Sequence, residues 1–168
     1  MLLIRFPAEA RVSVGALGRF PFPAGDVVYV GSARRGLDAR VARHLRRRKS
    51  KHWHADYLTS SRAACVAGAV LLRGATLSEC ALSRAAAAEL SPGSAPPVPR
   101  FGTGDCREEC PSHLWRAPRQ LTLASLARFA ARVDPGAAVD IVAHAERRRR
   151  LPSKSSREAI VECLEPAE

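Results

Sequence analysis

The sequence predicts a protein of the α/β (α+β) class, because strand-like and helix-like segments follow one another along most of its 168 residues. Residues 27–30 and 66–72 are short, apolar and rich in β-branched side chains, which is typical of strands. Residues 37–48 place an apolar side chain at every fourth position, which is typical of a helix. Hydrophobic residues make up 46% of the chain and charged residues 26%, so we expect a globular protein with a buried core.

The first half of the chain carries local signals for its strands. Residues 11–14 alternate polar and apolar side chains, which predicts a strand. Residues 21–25, Pro-Phe-Pro-Ala-Gly, predict a loop that leads into the strand at 27–30. The helix at 37–48 and the strand at 66–72 then follow in order.

The second half is predicted to be mainly helical. An alanine-rich helix follows Thr76-Leu77-Ser78-Glu79 and ends near Leu90, where Ser-Pro-Gly stops it. Residues 101–115 are turn-like and rich in potential metal ligands, and residues 123–133 form an amphipathic helix. We therefore divide the chain into a domain at 1–117 and a basic, Ala/Arg-rich helical extension at 118–168.

Charge is the clearest functional signal in the composition. The chain has 27 Lys and Arg against 16 Asp and Glu, a net charge of +11, which predicts a polyanionic partner, most simply a nucleic acid. The run at residues 147–150, four arginines, would either extend a DNA footprint or lie in a solvated tail. A chain ending near Pro118 is expected to keep its fold and bind more weakly.

The start of the chain and its apolar runs bear on the cellular compartment. The first seven residues are interrupted by Arg5 and Pro7, unlike a secretory signal. No apolar run reaches the roughly 18–20 residues of a membrane span. We therefore expect a soluble, cytoplasmic protein that does not contact a membrane.

The five cysteines form an odd set in a chain without a secretory signal, so we do not expect a disulfide framework. Cys106, Cys110 and His113 lie within eight residues, and Cys80 on the alanine-rich helix could approach them. Four such ligands would suit a structural zinc site. Ordinary buried thiols are the alternative.

The helix at 37–48 lies in a strongly basic segment. Nine Lys or Arg residues and one acid, Asp38, fall between Arg34 and Lys51. A phosphate backbone would relieve their mutual repulsion, whereas a solvated surface helix is the simpler alternative. Arg40 and His44 are four residues apart and share one helix face, and such a pair suits phosphodiester chemistry.

A second polar patch follows, at His52-Trp53-His54 and Asp56. In an extended segment the two histidines and Asp56 would share one face, suited to metal or phosphate contact, with Trp53 turned to the core. In a helix they would spread apart, and packing within the domain is an equally open interpretation.

The order of several motifs resembles the Uri-type branch of the GIY-YIG endonuclease superfamily over roughly residues 10–116. The motifs that carry this resemblance are GDVVYVGSA at 25–33, GLDARVARHL at 36–45, HWHADYL at 52–58, ECAL at 79–82, FGTGDC at 101–106 and SHL at 112–114. It implies a three-stranded antiparallel sheet flanked by helices, and a hydrolase that cleaves DNA phosphodiester bonds with Mg²⁺ or Mn²⁺.

The resemblance also implies site residues. Tyr29 and Gly31 match the Tyr-x-Gly motif, Arg40 matches an arginine that stabilises phosphoryl charge, and His44 matches a histidine one turn later. Glu79 matches the carboxylate that holds the divalent metal. Further substrate contacts are expected from Gly31, Ser32, Arg43, Arg47, Lys49, Lys51, His52 and His54.

The chain departs from the family pattern at its first motif, since residues 11–18 contain no tyrosine. The general base would then be His44, Tyr29 or a metal-bound water, or the domain would bind nucleic acid without cutting it. A third possibility is a zinc-stabilised domain whose basic face meets an acidic protein. Glu79 itself has a structural interpretation, in which Thr76 caps the helix and Glu79 reaches back to the Thr76 amide.

Overall fold

The fold centres on a five-stranded antiparallel sheet. The computed structural model describes residues 1–33, 35–118 and 120–144. Its strands are β1 (Leu2–Phe6), β2 (Ala10–Ser13), β3 (Arg19–Phe22), β4 (Gly25–Tyr29), β5 (Cys65–Arg73), β6 (Leu114–Ala117) and β7 (Ala138–Ala143). The main sheet has the order β6-β4-β1-β5-β7, and β2 pairs with β3 in a separate hairpin.

Helices cover both faces of this sheet. In the described part of the chain the α-helices are α1 (Leu37–Leu45), α2 (His54–Thr59), α3 (Glu79–Leu90) and α4 (Leu123–Val133). One apolar cluster joins α1, α2 and the β2–β3 hairpin to the sheet, and a second joins α3 and α4 to the opposite face. No helix of the described residues is long and apolar enough to cross a membrane.

The central strand β1 explains the two-sided core. Leu2, Ile4 and Phe6 belong to the first cluster and Leu3 to the second, so the strand is apolar on both faces. The expected α+β class with an antiparallel sheet is confirmed. The expected count of three strands is wrong, because five strands pair in the main sheet.

Two strand predictions need correction. Residues 11–14 fall mainly in β2, but β2 pairs with β3, whereas the neighbour of β4 in the main sheet is β1, with Leu2 opposite Tyr29. The predicted loop at 21–25 begins too early, since β3 continues to Phe22, whose side chain stacks on Phe6. β1, like residues 11–18, contains no tyrosine.

The helices predicted at 37–48, before Leu90 and at 123–133 are present, but the predicted helical extension at 118–168 contains the strand β7. α1 stops at Leu45, before the predicted residue 48, because the Lys49 ammonium group reaches back and donates to the carbonyls of Arg43, His44 and Arg46. α3 begins at Glu79 with Ser78 as its N-cap, where the Ser78 hydroxyl accepts the Ala81 N–H at 3.0 Å.

The segment after residue 117 contributes to the same sheet and core. β7 pairs with β5 from Gly68 opposite Ala143 to Arg73 opposite Ala138. The Asp134 carboxylate, which follows α4, accepts the backbone N–H groups of Thr76 and Leu77 at 2.8 and 3.0 Å. The predicted boundary at 117 therefore falls between elements that share one sheet, and residues 147–150 lie outside the described residues.

A buried ion pair fixes the start of this segment. The Arg5 Nε atom donates to Asp26 Oδ1 at 2.9 Å, and both side chains are buried. The backbone of Leu121 joins the pair, because its N–H donates to Asp26 and its carbonyl accepts from Arg5. The chain that leads into α4 is thereby attached to the two central strands.

Candidate active site and metal cluster

A cleft of about 600 Å³ opens where the end of β4, the start of α1 and the β5–α3 connection meet. Its lining includes Tyr29, Arg40, His44 and Glu79, the four side chains to which the resemblance assigns catalytic roles. They come from three separate elements, so only the tertiary fold brings them to one cavity.

Tyr29 lies at the end of β4, and the backbone packs closely against its ring at Gly31 and Gly102. A Cβ atom at Gly31 would lie 2.8 Å from the Tyr29 Cε1 and Oη atoms, and one at Gly102 would lie 3.0 Å from its Cε2 atom. The ring is buried and therefore has little freedom to move. Burial, and next to it the charge of Glu79, raises the pKa of Tyr29 to about 12, so the phenol keeps its proton at neutral pH.

Arg40 projects from α1 and lies over the ring of Trp53. The guanidinium carbon of Arg40 is 4.4 Å from the centroid of that ring, and the guanidinium carbon of Arg43 is 5.0 Å from it. Trp53 is 38% exposed and precedes α2, so the extended arrangement that would turn it to the core does not form. Its ring instead supports the side chain of Arg40 at the cleft.

His44 is buried between the cleft and Asp56. Its Nδ1 atom lies 3.3 Å from Asp56 Oδ1, close enough for attraction but outside hydrogen-bond geometry. Burial lowers the pKa of His44 to about 4 despite the opposing charge of Asp56. His44 is therefore a neutral imidazole at neutral pH.

The His52, His54 and Asp56 face predicted for an extended segment does not form, because α2 begins at His54. Asp56 is fully buried and accepts the N–H groups of His52 and Trp53, at 2.9 and 3.2 Å. His54 Nδ1 accepts the Gly102 N–H at 2.9 Å. These contacts connect α2 to its neighbours, as the packing interpretation expected, and a substrate role for the histidines stays a prediction.

Several basic residues of the α1 segment contact the protein itself. Arg43 donates to Asp56 Oδ2 at 2.8 Å, and Arg47 donates to the carbonyl of Ala64 at 3.3 Å. Burial lowers the pKa of Lys49 to about 8, and Lys51 lies over the Tyr57 ring at 4.9 Å. Part of the dense positive charge thus stabilises the fold, and substrate contacts by these side chains stay predictions.

Glu79, the first residue of α3, uses both carboxylate oxygens. Oε2 accepts the Ser32 N–H at 2.9 Å and also the Ser32 hydroxyl, while Oε1 lies 2.8 Å from His113 Nδ1. Burial alone would raise the pKa of Glu79, but the hydrogen bonds from His113 and Ser32 outweigh it and hold the pKa below its usual value. The side chain is a carboxylate at neutral pH.

The capping-box interpretation of Glu79 is wrong. Ser78, not Thr76, caps α3, and the Thr76 N–H donates to Asp134 instead. The Glu79 carboxylate turns toward Ser32 and His113, so helix capping does not account for a glutamate at this position.

A Cys₃His cluster adjoins the cleft, at Cys80, Cys106, Cys110 and His113. The ligand atoms of these four residues all lie within 4.8 Å of one another, and the three cysteines are free. The backbone N–H of Cys110 contributes most to lowering the pKa of Cys106, to about 7. The cluster could hold a metal ion, and the four residues are those that the sequence analysis grouped for zinc.

Two relationships at the site were not predicted. The contact of His113 with Glu79 was not expected from the sequence, and neither was the packing of Arg40 on the Trp53 ring. His113 follows Glu79 by 34 residues, and no local pattern connects them. The order of the ECAL and SHL motifs was the one available signal that these segments belong to one site.

Together the cleft and the cluster define a small α+β protein with an arginine-lined cavity beside a candidate metal centre. Residues 1–133 match a family described as a domain of unknown function, DUF123, and the chain belongs to this family. Comparison of the chain with curated proteins and with solved structures found no match.

Proposed function

We propose that the protein is a metal-dependent DNA endonuclease of the GIY-YIG type. The observation that carries this proposal is the convergence of Tyr29, Arg40, His44 and Glu79 on one cleft. Arg35 also lines the cavity, so an anionic phosphate entering it would meet Arg35 and Arg40, whereas the lining residue Arg73 is paired with Asp38 and Asp140. The net charge of +11 favours the same class of ligand.

The ion proposed for this cleft is magnesium or manganese, with Glu79 as its protein ligand. Glu79 is the only carboxylate among the described residues that line the cavity. One carboxylate suits Mg²⁺, which keeps several waters and takes phosphate oxygens as further ligands. Such an ion, when bound, would stabilise negative charge on the phosphate and on the leaving oxygen.

Hydrolysis forms a bond between a water oxygen and phosphorus and breaks the bond from phosphorus to one ester oxygen. The attacking water loses a proton and the leaving oxygen gains one, which gives an alcohol and a phosphate monoester. Arg40 would neutralise the charge that grows on the non-bridging oxygens. Tyr29 keeps its own proton and would orient the attacking water. Neutral His44 would accept the proton that this water loses.

The decisive experiment is nicking of supercoiled plasmid with Mg²⁺ or Mn²⁺, with and without EDTA. We expect the wild-type protein to nick DNA only with added metal, and Glu79→Ala to lower the rate by at least about 100-fold. Bound zinc is measured in both proteins and far-UV circular dichroism confirms their fold. Nicking by a folded Glu79→Ala protein at the wild-type rate would refute the assignment of Glu79.

Trp53 is expected to position Arg40 for this reaction. Removing the ring in Trp53→Ala should lower kcat about two- to five-fold with little change in KM, since an exposed cation–π contact is worth about 0.5–1 kcal/mol. Trp53→Phe keeps an aromatic face and should retain most of the rate. An unchanged kcat in the folded Trp53→Ala protein would show that the contact has no role in cleavage.

One observation favours a non-catalytic nucleic-acid-binding module on the same fold. Tyr29 is the only tyrosine among the described lining residues, and at neutral pH it is protonated and cannot act as a base. Tight DNA binding by the wild-type protein without nicking under either metal would support this second function.

A further inference from the structure

We propose that Cys80, Cys106, Cys110 and His113 bind one zinc ion, and that His113 connects this ion to the Glu79 carboxylate of the cleft. The zinc centre would then set the position of the carboxylate on which the proposed nuclease depends. The importance of Glu79 for cleavage rests on the proposed function, whereas the zinc site and its connection to Glu79 do not.

The spacing of the four donors suits tetrahedral zinc. Zinc–sulfur bonds of about 2.3 Å in a tetrahedron place two sulfurs about 3.7 Å apart. The sulfurs of Cys80 and Cys106 are 3.4 Å apart, and the Cys80 sulfur lies 3.8 Å from His113 Nε2. Four protein ligands fill the coordination shell, so the chemistry is that of a closed structural site rather than a catalytic zinc.

The surroundings favour a thiolate-bound ion. Cys80, Cys110 and His113 are buried, so the donors face one another rather than water. The Arg84 Nη1 atom lies 3.8 Å from the Cys110 sulfur. Three thiolates and a zinc ion carry a net charge of −1, and the Arg84 guanidinium lies beside it while its Nη2 atom also pairs with Glu108 at 2.6 Å.

His113 is anchored so that its two ring nitrogens face opposite partners. Its backbone N–H donates to the Phe101 carbonyl at 2.7 Å, and its own carbonyl accepts the Val30 N–H at 2.9 Å. Nδ1 faces Glu79 Oε1 at 2.8 Å, while Nε2 faces the cysteine sulfurs. When Nδ1–H donates to Glu79, the Nε2 lone pair is free to bind a metal.

This is the carboxylate–histidine–metal arrangement in which an outer carboxylate orients a ligating imidazole. The bound metal would in turn fix the position of the Glu79 carboxylate in the cleft. The imidazole of His113 contacts one carboxylate oxygen, and Ser32 donates to the other. The same ion would tie the loop before β6, including Cys106 and Cys110, to α3. That loop carries Gly102, which lies against the Tyr29 ring.

The first experiment measures metal binding by the full chain, purified under reducing conditions. We expect one zinc per chain by elemental mass spectrometry, and a cobalt derivative with the visible spectrum of a tetrahedral thiolate site. Cys110→Ser should lose the zinc and that spectrum. A zinc-free wild-type protein that also fails to take up added zinc would overturn the site, as would full zinc occupancy in Cys110→Ser.

The second experiment tests the connection to Glu79 by competition with a chromophoric chelator. Glu79→Ala should weaken zinc affinity about 10- to 100-fold, as is usual when such an outer partner is removed. Glu89→Ala is the matched control, because Glu89 lies on α3 but pairs with Arg132 at the surface, and its affinity should equal the wild-type value. Equal affinities in all three proteins would overturn the connection.

These measurements contain no DNA, so they separate the two proposals. Zinc bound with the expected Glu79 dependence, in a protein that never nicks DNA, would refute only the nuclease. Metal-dependent nicking by the wild-type protein, combined with equal zinc affinity in wild type and Glu79→Ala, would refute only the connection between the zinc site and Glu79.

Discussion

Replacing Arg40 by alanine is expected to lower the rate of DNA cleavage by about 100- to 1,000-fold while leaving DNA affinity nearly unchanged. A charged donor aimed at a phosphate matters most in the transition state, when negative charge on the non-bridging oxygens is greatest. Affinity instead depends on the total positive charge, and Arg40 is one of 27 Lys and Arg residues.

The measurement pairs single-turnover cleavage with fluorescence-anisotropy binding at one fixed salt concentration. Arg48→Ala is the matched control, because Arg48 is an exposed arginine just beyond the end of α1. It should change both quantities only slightly. If Arg40→Ala weakens binding and cleavage by the same factor, Arg40 contributes to DNA binding only. That result would refute its role in stabilising the transition state of cleavage.

A chain ending at Ala117 is expected to be unfolded, which replaces the sequence-based expectation that such a truncation keeps its fold. It would lack α4 and β7, and with them the buried side chains of Leu121, Leu123, Leu126 and Phe129. Burial of four such side chains contributes about 6–12 kcal/mol. That is comparable to the whole stability of a small domain, about 5–15 kcal/mol.

Circular dichroism and urea titration check this result. The full chain retains both elements and is the control, expected to show a cooperative urea transition. Cooperative unfolding of the chain that ends at Ala117 would show that residues 1–117 form a core of their own, and that α4 and β7 only dock on it.

Elements with a strong local signal were predictable from the sequence. The β-branched run in β4 and the apolar spacing of three or four residues in α1 and α4 each indicate a secondary structure without help from the rest of the chain. The Cys₃His cluster was predictable for a similar reason, since three of its four ligands lie within eight residues. Its fourth ligand follows from the placement of α3.

Features that depend on pairing between distant segments were not predictable. β1 is apolar on both faces and so lacks the alternation by which a strand is identified, and β6 is only four residues long. The N-cap of α3 was not predictable because Thr76 and Ser78 both have side chains that can cap a helix. In the folded chain Thr76 donates to Asp134, which follows α4, and Ser78 is left to cap α3. The contact of His113 with Glu79 likewise exists only in the folded chain.

The close packing of Gly31 against Tyr29 bears on how far a Tyr-x-Gly pattern can be used to infer activity. Any side chain at position 31 would meet the tyrosine ring within 3 Å, so the glycine is required by shape alone. A protein with this fold and a tyrosine at position 29 would need the glycine whether or not it cleaves DNA. The pattern therefore carries information about the fold, and if the proposed function holds, the presence of Arg40 and Glu79 would distinguish an active protein from an inactive relative.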